Sequence, residues 1–535
     1  MPTQWLKNLS HKAAHVKMLS PVYDLSLGNL EEPLQFSSFP VDIIEGDAGR
    51  GRWAASGKLD INGYRVPLDM ASWLIGSQYQ DTLFFEKLHG FEFGSELKSL
   101  GGHEARKALR DITSLWCTDF KPYHHVIWSP ALSARRLVNW MIVYPFAFET
   151  APDDFLNILH QSFYRQYRHI ENTLATPAPL DDFDRMAILW ALIIIQCHCD
   201  SFYNKMEMDS YILLFKGVLN DLILADGGLF DRNPQNALEL LHMILIVKQS
   251  LQIKGGTIPL WLSLSVDKLT RFIVGICHVD KNLPSFQGAT LPNKNNLEKI
   301  IRATGHKIRR QDRVFDDVGY TSMRKGKTSI IIDHGNFGGS HTAPMAIEIA
   351  HAGHRLISCC GTHFLDKNWE QALSDIAAHS TAEIGEVNPQ HATVRPKAEL
   401  EKLNSDVLFV GSHEQYRNNF NTTHTRRIYM DKMGEDIRGE DIFIRDISIQ
   451  SLPVTLRFHL HPSVKASVVN DGRDVLLKIA NGTGWMFQCH SDAPPRLEDS
   501  VFCGNGMRIK KTSQIVISLP FNGLNDTIKW AFKKI

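Results

Sequence analysis

The chain has no apolar run long enough to cross a bilayer. Its longest, Met186–Ile195, is about half of the roughly 20 residues a spanning helix needs, and reads as a buried core helix. The first twenty residues, MPTQWLKNLSHKAAHVKMLS, lack the apolar core and small-residue cleavage site of a secretory signal, so the cytoplasm is expected. A charge surplus is also missing: Lys+Arg and Asp+Glu balance at 58 each, which removes any global electrostatic argument for nucleic acid or an anionic membrane. Of the eight cysteines, two are adjacent (Cys359, Cys360) and Cys197, Cys199 and Cys277 stand alone on apolar runs, which is no disulfide framework. Nor is there a phosphate-binding glycine motif, because Gly335-x-x-Gly338-Gly339 follows a strand but opens no helix.

What remains is an ordinary globular composition, 43 % apolar and 22 % charged over 535 residues, and too long for one core. Residues 1–60 read as irregular, with a short hairpin within Trp53–Val66. Residues 61–285 carry apolar positions at three- and four-residue steps. Helices are predicted over Asp81–Phe91, Glu104–Cys117, Ala131–Phe148, Asp153–Leu174, Asp184–Cys197, Asp209–Ala225, Asn236–Leu251 and Pro259–Cys277. Several start at Asp or Asn and end near Gly, as capping requires. Residues 286–314 read as a linker, with room for one helix around Asn296–Arg302. Over 315–535 the period falls to two. A hairpin over Tyr320–Ile332 is followed by strands at Thr393–Pro396, Val407–Gly411, His424–Met430, Val454–Leu460, Ala466–Asn470, Val475–Ile479, Gly484–Gln488 and Gln514–Leu519. The expected class is a helical toroid or bundle followed by a large antiparallel sandwich.

The segment Ile330–Thr381 carries the most chemistry. Three strand-like runs, Thr328–Asp333, Ala343–Ala350 and His354–Ser358, are broken by Gly-rich loops. His341, Cys359 and His379 sit at their edges. Two imidazoles and a thiolate form a ligand set that Zn²⁺ accepts; the alternative is a set of hydrogen-bonded core residues. Arg457 and His459 share one face of a strand, a pattern suited to carboxylate or sulfate groups or to a plain polar face. His413 and Tyr416, and His424 with Arg426, are similar candidates. Arg135, Arg136 and Asn139 beside Trp140 could line a saccharide cleft, or pack as an ordinary helix. A Cys–His nucleophile at Cys359-Cys360 and His379 lacks any recognisable elbow or oxyanion motif.

The order of that segment, a His-bearing loop, an apolar strand, a strand running into Cys-Cys-Gly-Thr at 359–362 and Ala-His-Ser-Thr at 378–381, resembles the central motif of the heparinase II/III family. Gly-Asp-x-x-Arg-Gly at 46–51, Leu-His-Gly-Phe at 88–91, Asp-Gly-Gly-x-Phe at 226–230 and Gly-Glu-Asp at 439–441 resemble a bacterial branch of it. The resemblance implies an N-terminal α/α toroid, a C-terminal multilayered antiparallel β-sandwich, and β-elimination on a uronic-acid-containing polysaccharide. It also implies a cleft whose carboxylate neutraliser is Asn or His, whose proton-transfer groups are Tyr and His, and whose loop is sometimes ordered by Zn²⁺. On that basis His341, Arg232 and His459 are the catalytic candidates and Arg135, Arg136, Asn139, Tyr416 and Arg457 the substrate-binding ones. His341, Cys359 and His379 are the metal candidates, and an anionic polysaccharide is the partner. By family analogy the periplasm is the alternative compartment. Several positions depart from the family: Asn236 stands where the Tyr is expected, Gly339 replaces the first His of the loop, Cys359 replaces an Asp, and Thr-Pro-Ala-Pro-Leu-Asp-Asp at 176–182 replaces the Asn-His region. These departures keep open a second reading, a non-catalytic or differently catalytic relative that binds an anionic glycan in envelope polysaccharide metabolism.

Overall fold

The computed structural model describes residues 21–61, 63–68, 83–176, 180–307, 311–336, 340–390, 394–446, 451–490, 493–521 and 523–535. Gly339, residues 177–179 and Thr393, all used in the sequence reading, lie outside these. The chain forms two compact units, Met1–Leu222 with Leu241–Val266, and Ile223–Leu240 with Asp267–Ile535.

The first unit is helical. Gly102–Asp119 buries Ala105, Leu109, Thr113 and Trp116, a stripe at three- and four-residue steps that faces the core. Asp182–His198 starts at Asp181, whose carboxylate accepts from the Asp184 amide, and is buried continuously from Met186 onward, as expected of a core helix. Pro130–Ala147 begins with proline at its first position, where no amide hydrogen is needed. Trp140 from this helix meets Trp116 edge-on, with ring centroids 5.6 Å apart, and is core rather than a sugar platform. Besides the short Pro21–Ser26, two longer helices of this unit are absent from the sequence reading. Ala48–Ala55 is capped by Asp47 in a stretch whose three glycines suggest a loop, and Phe93–Leu100 packs beside it. The glycines serve close approach instead: a Cβ on Gly46 or Gly51 would collide with the Ser95 and Glu96 backbone. The hairpin is Lys58–Ile61 paired with Tyr64–Pro67.

In the second unit, the β-strands make two sheets. One, eight-stranded, runs in the order Lys397–Leu403, Asp406–Tyr416, Thr422–Met430, Asp436–Arg445, Asn525–Lys534, Gly484–His490, Asp474–Lys478, Lys465–Val469. The other is built on Tyr320–Lys325, Thr328–Asp333, Ala346–His351, His354–Ser358, Leu452–Leu460, Lys510–Phe521 and Arg496–Gly506, with Gly361–His363 added in parallel at one edge. Asp406–Tyr416 alternates buried and half-buried residues along its length, the signature of a strand with one face on the core. That core is shared by both sheets: Ile330, Ile332, Ile347 and Leu356 from one meet Phe409, Ile428, Phe443 and Trp530 from the other. Fully burying each such side chain stabilises the unit by about 1.5–3 kcal/mol. The sandwich is therefore one hydrophobic body.

Candidate functional site

Two loops of the second unit converge before the strand Ala346–His351. The first, Asp226–Asn233, turns on Arg232, a non-glycine residue held at φ 62°. The Arg232 guanidinium donates to the Val318 carbonyl at 2.8 Å, to the Asn336 carbonyl at 2.9 Å and to the Asp333 carboxylate. Burial opposes its charge, but the Asp333 carboxylate more than restores it, so Arg232 stays protonated. The second oxygen of Asp333 accepts from Gln287 Nε2 at 2.7 Å. Gln287 in turn accepts, through its side-chain oxygen, the His341 backbone amide at 3.1 Å, while its carbonyl accepts from Asn233 Nδ2 at 3.0 Å. Arg232, Asp333 and Gln287 thus form the frame on which His341 is hung.

His341 is buried, and burial pushes its imidazole down to about 4, so it is neutral at pH 7. Its Nδ1 has no hydrogen-bond partner among the described residues. Its Nε2 points toward Gly288: a Cβ built there would lie 3.7 Å from His341 Nε2, 3.8 Å from Asn233 Nδ2 and 2.7 Å from Ser340 Oγ. A side chain at Gly288 would crowd Ser340 Oγ, so the glycine lets the backbone pass close to these three polar atoms. The His379 ring lies 5.2 Å from that of His341, centroid to centroid. Neither His379 nitrogen makes a hydrogen bond of ordinary geometry, although the Ser374 backbone is within electrostatic reach. Burial first, then the neighbouring His341 and His459, keep His379 uncharged.

Two neighbouring neutral imidazoles with unpartnered nitrogens fit half of a metal site. The third ligand does not join them. Among the described residues no group of three or more His, Cys, Asp and Glu stands close enough to hold a metal ion. Burial, with the Glu348 carboxylate nearby, pushes the Cys359 thiol well up, so it is a neutral thiol here. The three-ligand set expected from the sequence is therefore replaced by a His–His pair.

Residues 307–531 match the family model described as Heparinase II/III-like, C-terminal. The match covers the C-terminal part of the chain, and it is there that the likeness to the heparinase II/III family lies. A crystal structure of heparinase III is 12 % identical and superposes with a TM-score of 0.74, covering 95 % of this chain and 88 % of that one. A mutant of the heparan sulfate lyase HepC from Pedobacter heparinus is 14 % identical, TM-score 0.63, with 99 % and 88 % covered. At such identities the likeness is one of fold: a helical toroid-type domain followed by a β-sandwich. FtsZ-localized protein C of Caulobacter vibrioides is 26 % identical over 539 residues, 91 % of this chain and 88 % of the relative.

The remaining candidates are mostly committed to the fold. Arg136 is fully buried; it donates to Gln166, to the His89 and Ile127 carbonyls and to Ser133, and stacks 4.2 Å over Trp116. It therefore holds helix ends together and does not reach a ligand. Asn139 donates to the Gly90 carbonyl at 2.8 Å, fixing the Leu-His-Gly-Phe turn. Arg135 lies in the field of Glu92 and Asp184. Tyr416 is entirely buried and donates to the Ala382 carbonyl at 3.3 Å, so it is a core residue. Arg457 pairs with Glu383 at 2.8 Å. His459 is buried, with Nδ1 2.7 Å from Ser500 Oγ and Nε2 3.0 Å from the Ala377 carbonyl; it supports the His379 turn from behind. His413 and His424 do not face solvent. They form a buried chain, His413 Nε2 to His424 Nδ1 at 3.0 Å and His424 Nε2 to Asp441 at 2.7 Å, which Arg426 joins through Asp441 at 2.6 Å.

Asp231, Asn233 and Gln287 belong to the hydrogen-bonded frame around His341 and Arg232 and were not singled out from the sequence. Asn236, which the resemblance sets at the family's Tyr position, donates from Nδ2 to Asp231 at 2.5 Å, and burial raises the Asp231 carboxyl. Their only sequence signal was proximity to Asp-Gly-Gly. Gln287 had none, lying in apparent linker.

Proposed function

We propose that this protein binds an acidic, uronate-bearing glycan through the family's β-domain loop and does not run the Tyr–His elimination that the resemblance implies. One observation carries the reading: the Asn236 amide, where a phenol is expected, is bonded to Asp231, so no group of suitable acidity stands at that position. The polar atoms gathered above Gly288 still suit oxygen-rich ligands. The name of the Caulobacter relative, FtsZ-localized protein C, supports a role at the site of envelope division, where a glycan-binding module has a natural ligand.

A second reading is favoured by His341. Its imidazole is unprotonated at pH 7 and can accept a proton, but burial holds it down to about 4 and so makes it a weak base there. On this reading the chain is a lyase in which His341 withdraws the proton beside the uronate carboxylate. The test is to titrate the protein with glucuronate-, mannuronate- and iduronate-containing oligomers while following ultraviolet absorbance of the unsaturated uronate. Binding without absorbance, lost in His341→Ala, supports the first reading. Absorbance that disappears in His341→Ala supports the second. No binding to any oligomer refutes both.

A further inference from the structure

An open pocket of about 570 Å³ lies between the helix Ala48–Ala55 and the hairpin Lys58–Ile61/Tyr64–Pro67 of the helical unit. Its walls include Asp47, Arg50, Arg52, Trp53, Asp60 and Arg65. Both carboxylates are already engaged. Asp47 caps the helix by accepting the Arg50 amide at 2.9 Å, and Asp60 holds Arg65 Nε at 2.7 Å and the Gly63 amide at 2.9 Å. The three guanidiniums, by contrast, keep donors to spare. Arg65 lies flat over the Trp53 indole, 4.1 Å from its centroid, and uses only Nε on Asp60 among the described residues. Arg50 gives one terminal nitrogen to Glu96 at 2.6 Å, while its Nε is cut off from solvent with no acceptor among the described residues. Arg52 is exposed and has no ion pair among the described residues. Among the described residues the pocket therefore has spare guanidinium donors, an Arg52 that feels the Asp47 carboxylate without a direct ion pair, and an aromatic rim, Trp53 being 37 % exposed.

That combination selects a class of ligand. Guanidiniums with free N–H groups take carboxylate or sulfate oxygens in pairs, and an indole offers apolar surface to the C–H face of a ring. The volume lies within the range of about 300–1,000 Å³ usual for organic ligands, far more than an inorganic anion fills. We propose that this pocket is a binding site for an acidic sugar residue, with Arg52 and Arg65 on the carboxylate and Trp53 against the ring. The proposal takes its ligand class from the glycan-binding reading above and nothing else from it.

The test is calorimetric titration of the full-length protein with an oligomer of alternating glucuronate and N-acetylglucosamine, and with the same oligomer carboxyl-reduced. We expect the acidic oligomer to bind more tightly than the reduced one. Arg52→Ala should weaken the acidic oligomer at least tenfold and leave the reduced one unchanged, while Trp53→Ala weakens both. Arg52→Lys should recover part of the loss, and circular dichroism should show every variant folded. His341→Ala should leave the Arg52-dependent heat in place. Wild-type binding by Arg52→Ala overturns the proposal while the β-domain reading stands if His341→Ala abolishes the heat. Loss in Arg52→Ala with none in His341→Ala upholds the pocket and counts against the β-domain site. An oligomer that binds neither way overturns the proposal.

Discussion

Asp441→Asn is the sharpest test of how the β-sandwich is held. Asp441 and Arg426 are cross-strand partners on Asp436–Arg445 and Thr422–Met430, both fully buried. One Asp441 oxygen accepts from His424 and Arg426, the other from Trp530 Nε1 at 2.8 Å. Arg426 and His424 hold this carboxyl far below its ordinary range against the pull of burial. An asparagine keeps the shape but removes the charge, leaving the Arg426 cation unneutralised, and its amide turns one acceptor into a donor facing a donor. Breaking one side of a buried ion pair costs about 3–5 kcal/mol, a large part of the roughly 5–15 kcal/mol that holds a domain folded. Because the chain has two units, a single melting curve is a poor readout. Amide hydrogen exchange resolved to peptides covering the two strands is better, and the loss converts to exchange faster by about two to three and a half decades. Acceleration under tenfold refutes the reasoning. So does an Arg426→Met/Asp441→Leu double variant that is worse than Asp441→Asn, since removing both charges should cost less than stranding one.

Further tests follow from the buried imidazoles and the site frame. Burial pushes His160, His169 and His198 in the helical unit, and His278, His341 and His459 in the other, from 6.5 to about 4. The unfolded chain takes up protons at these sites from about pH 6.5 downward and the folded one only near pH 4. Stability should be complete above pH 6.5 and fall between 6.5 and 4, on the order of 3 kcal/mol for each site left neutral; an unchanged melting temperature from pH 7 to 5 contradicts this. Gly335→Ala should drive its methyl into the Arg232 guanidinium and lower stability by about 1–3 kcal/mol, read by thermal denaturation; a neutral result shows that the loop yields. Arg232→Ala should cost about 3–5 kcal/mol by leaving the buried Asp333 carboxylate without its cation, with only the Gln287 side chain and the Gly335 backbone amide as donors. A variant as stable as the parent but weakened in glycan binding would make Arg232 a ligand contact instead.

Periodicity made most of the fold legible. The expected Asp153–Leu174 and Asp184–Cys197 helices are Asp153–Ala175 and Asp182–His198, because an apolar stripe and an acidic cap coincide there. The strands Asp436–Arg445 and Asn525–Lys534 went unseen. Their outer faces carry Arg438, Glu440 and Lys529, so the charges that keep the outer face wet obscure the alternation beneath. At the site, His341 beside His379 was readable from strand-end spacing. What sequence could not give was the fate of each polar group. Arg136 and Tyr416 look like ligand contacts in one dimension and prove to be spent on backbone carbonyls, since a buried donor must find an acceptor wherever the chain supplies one.

The short stretch Ile223–Leu240 interrupts a helical sequence, yet it belongs to the same compact unit as the sandwich, and it brings Arg232. An engineer who trims this protein to residues 307–531, the span the family model recognises, would cut away that arginine and Gln287 together. The fragment would keep Asp333 in its buried place with neither its cation nor its amide donor. Family boundaries drawn along a sequence mark shared ancestry; the boundary at which this polypeptide can stand alone is set by where its charges are answered.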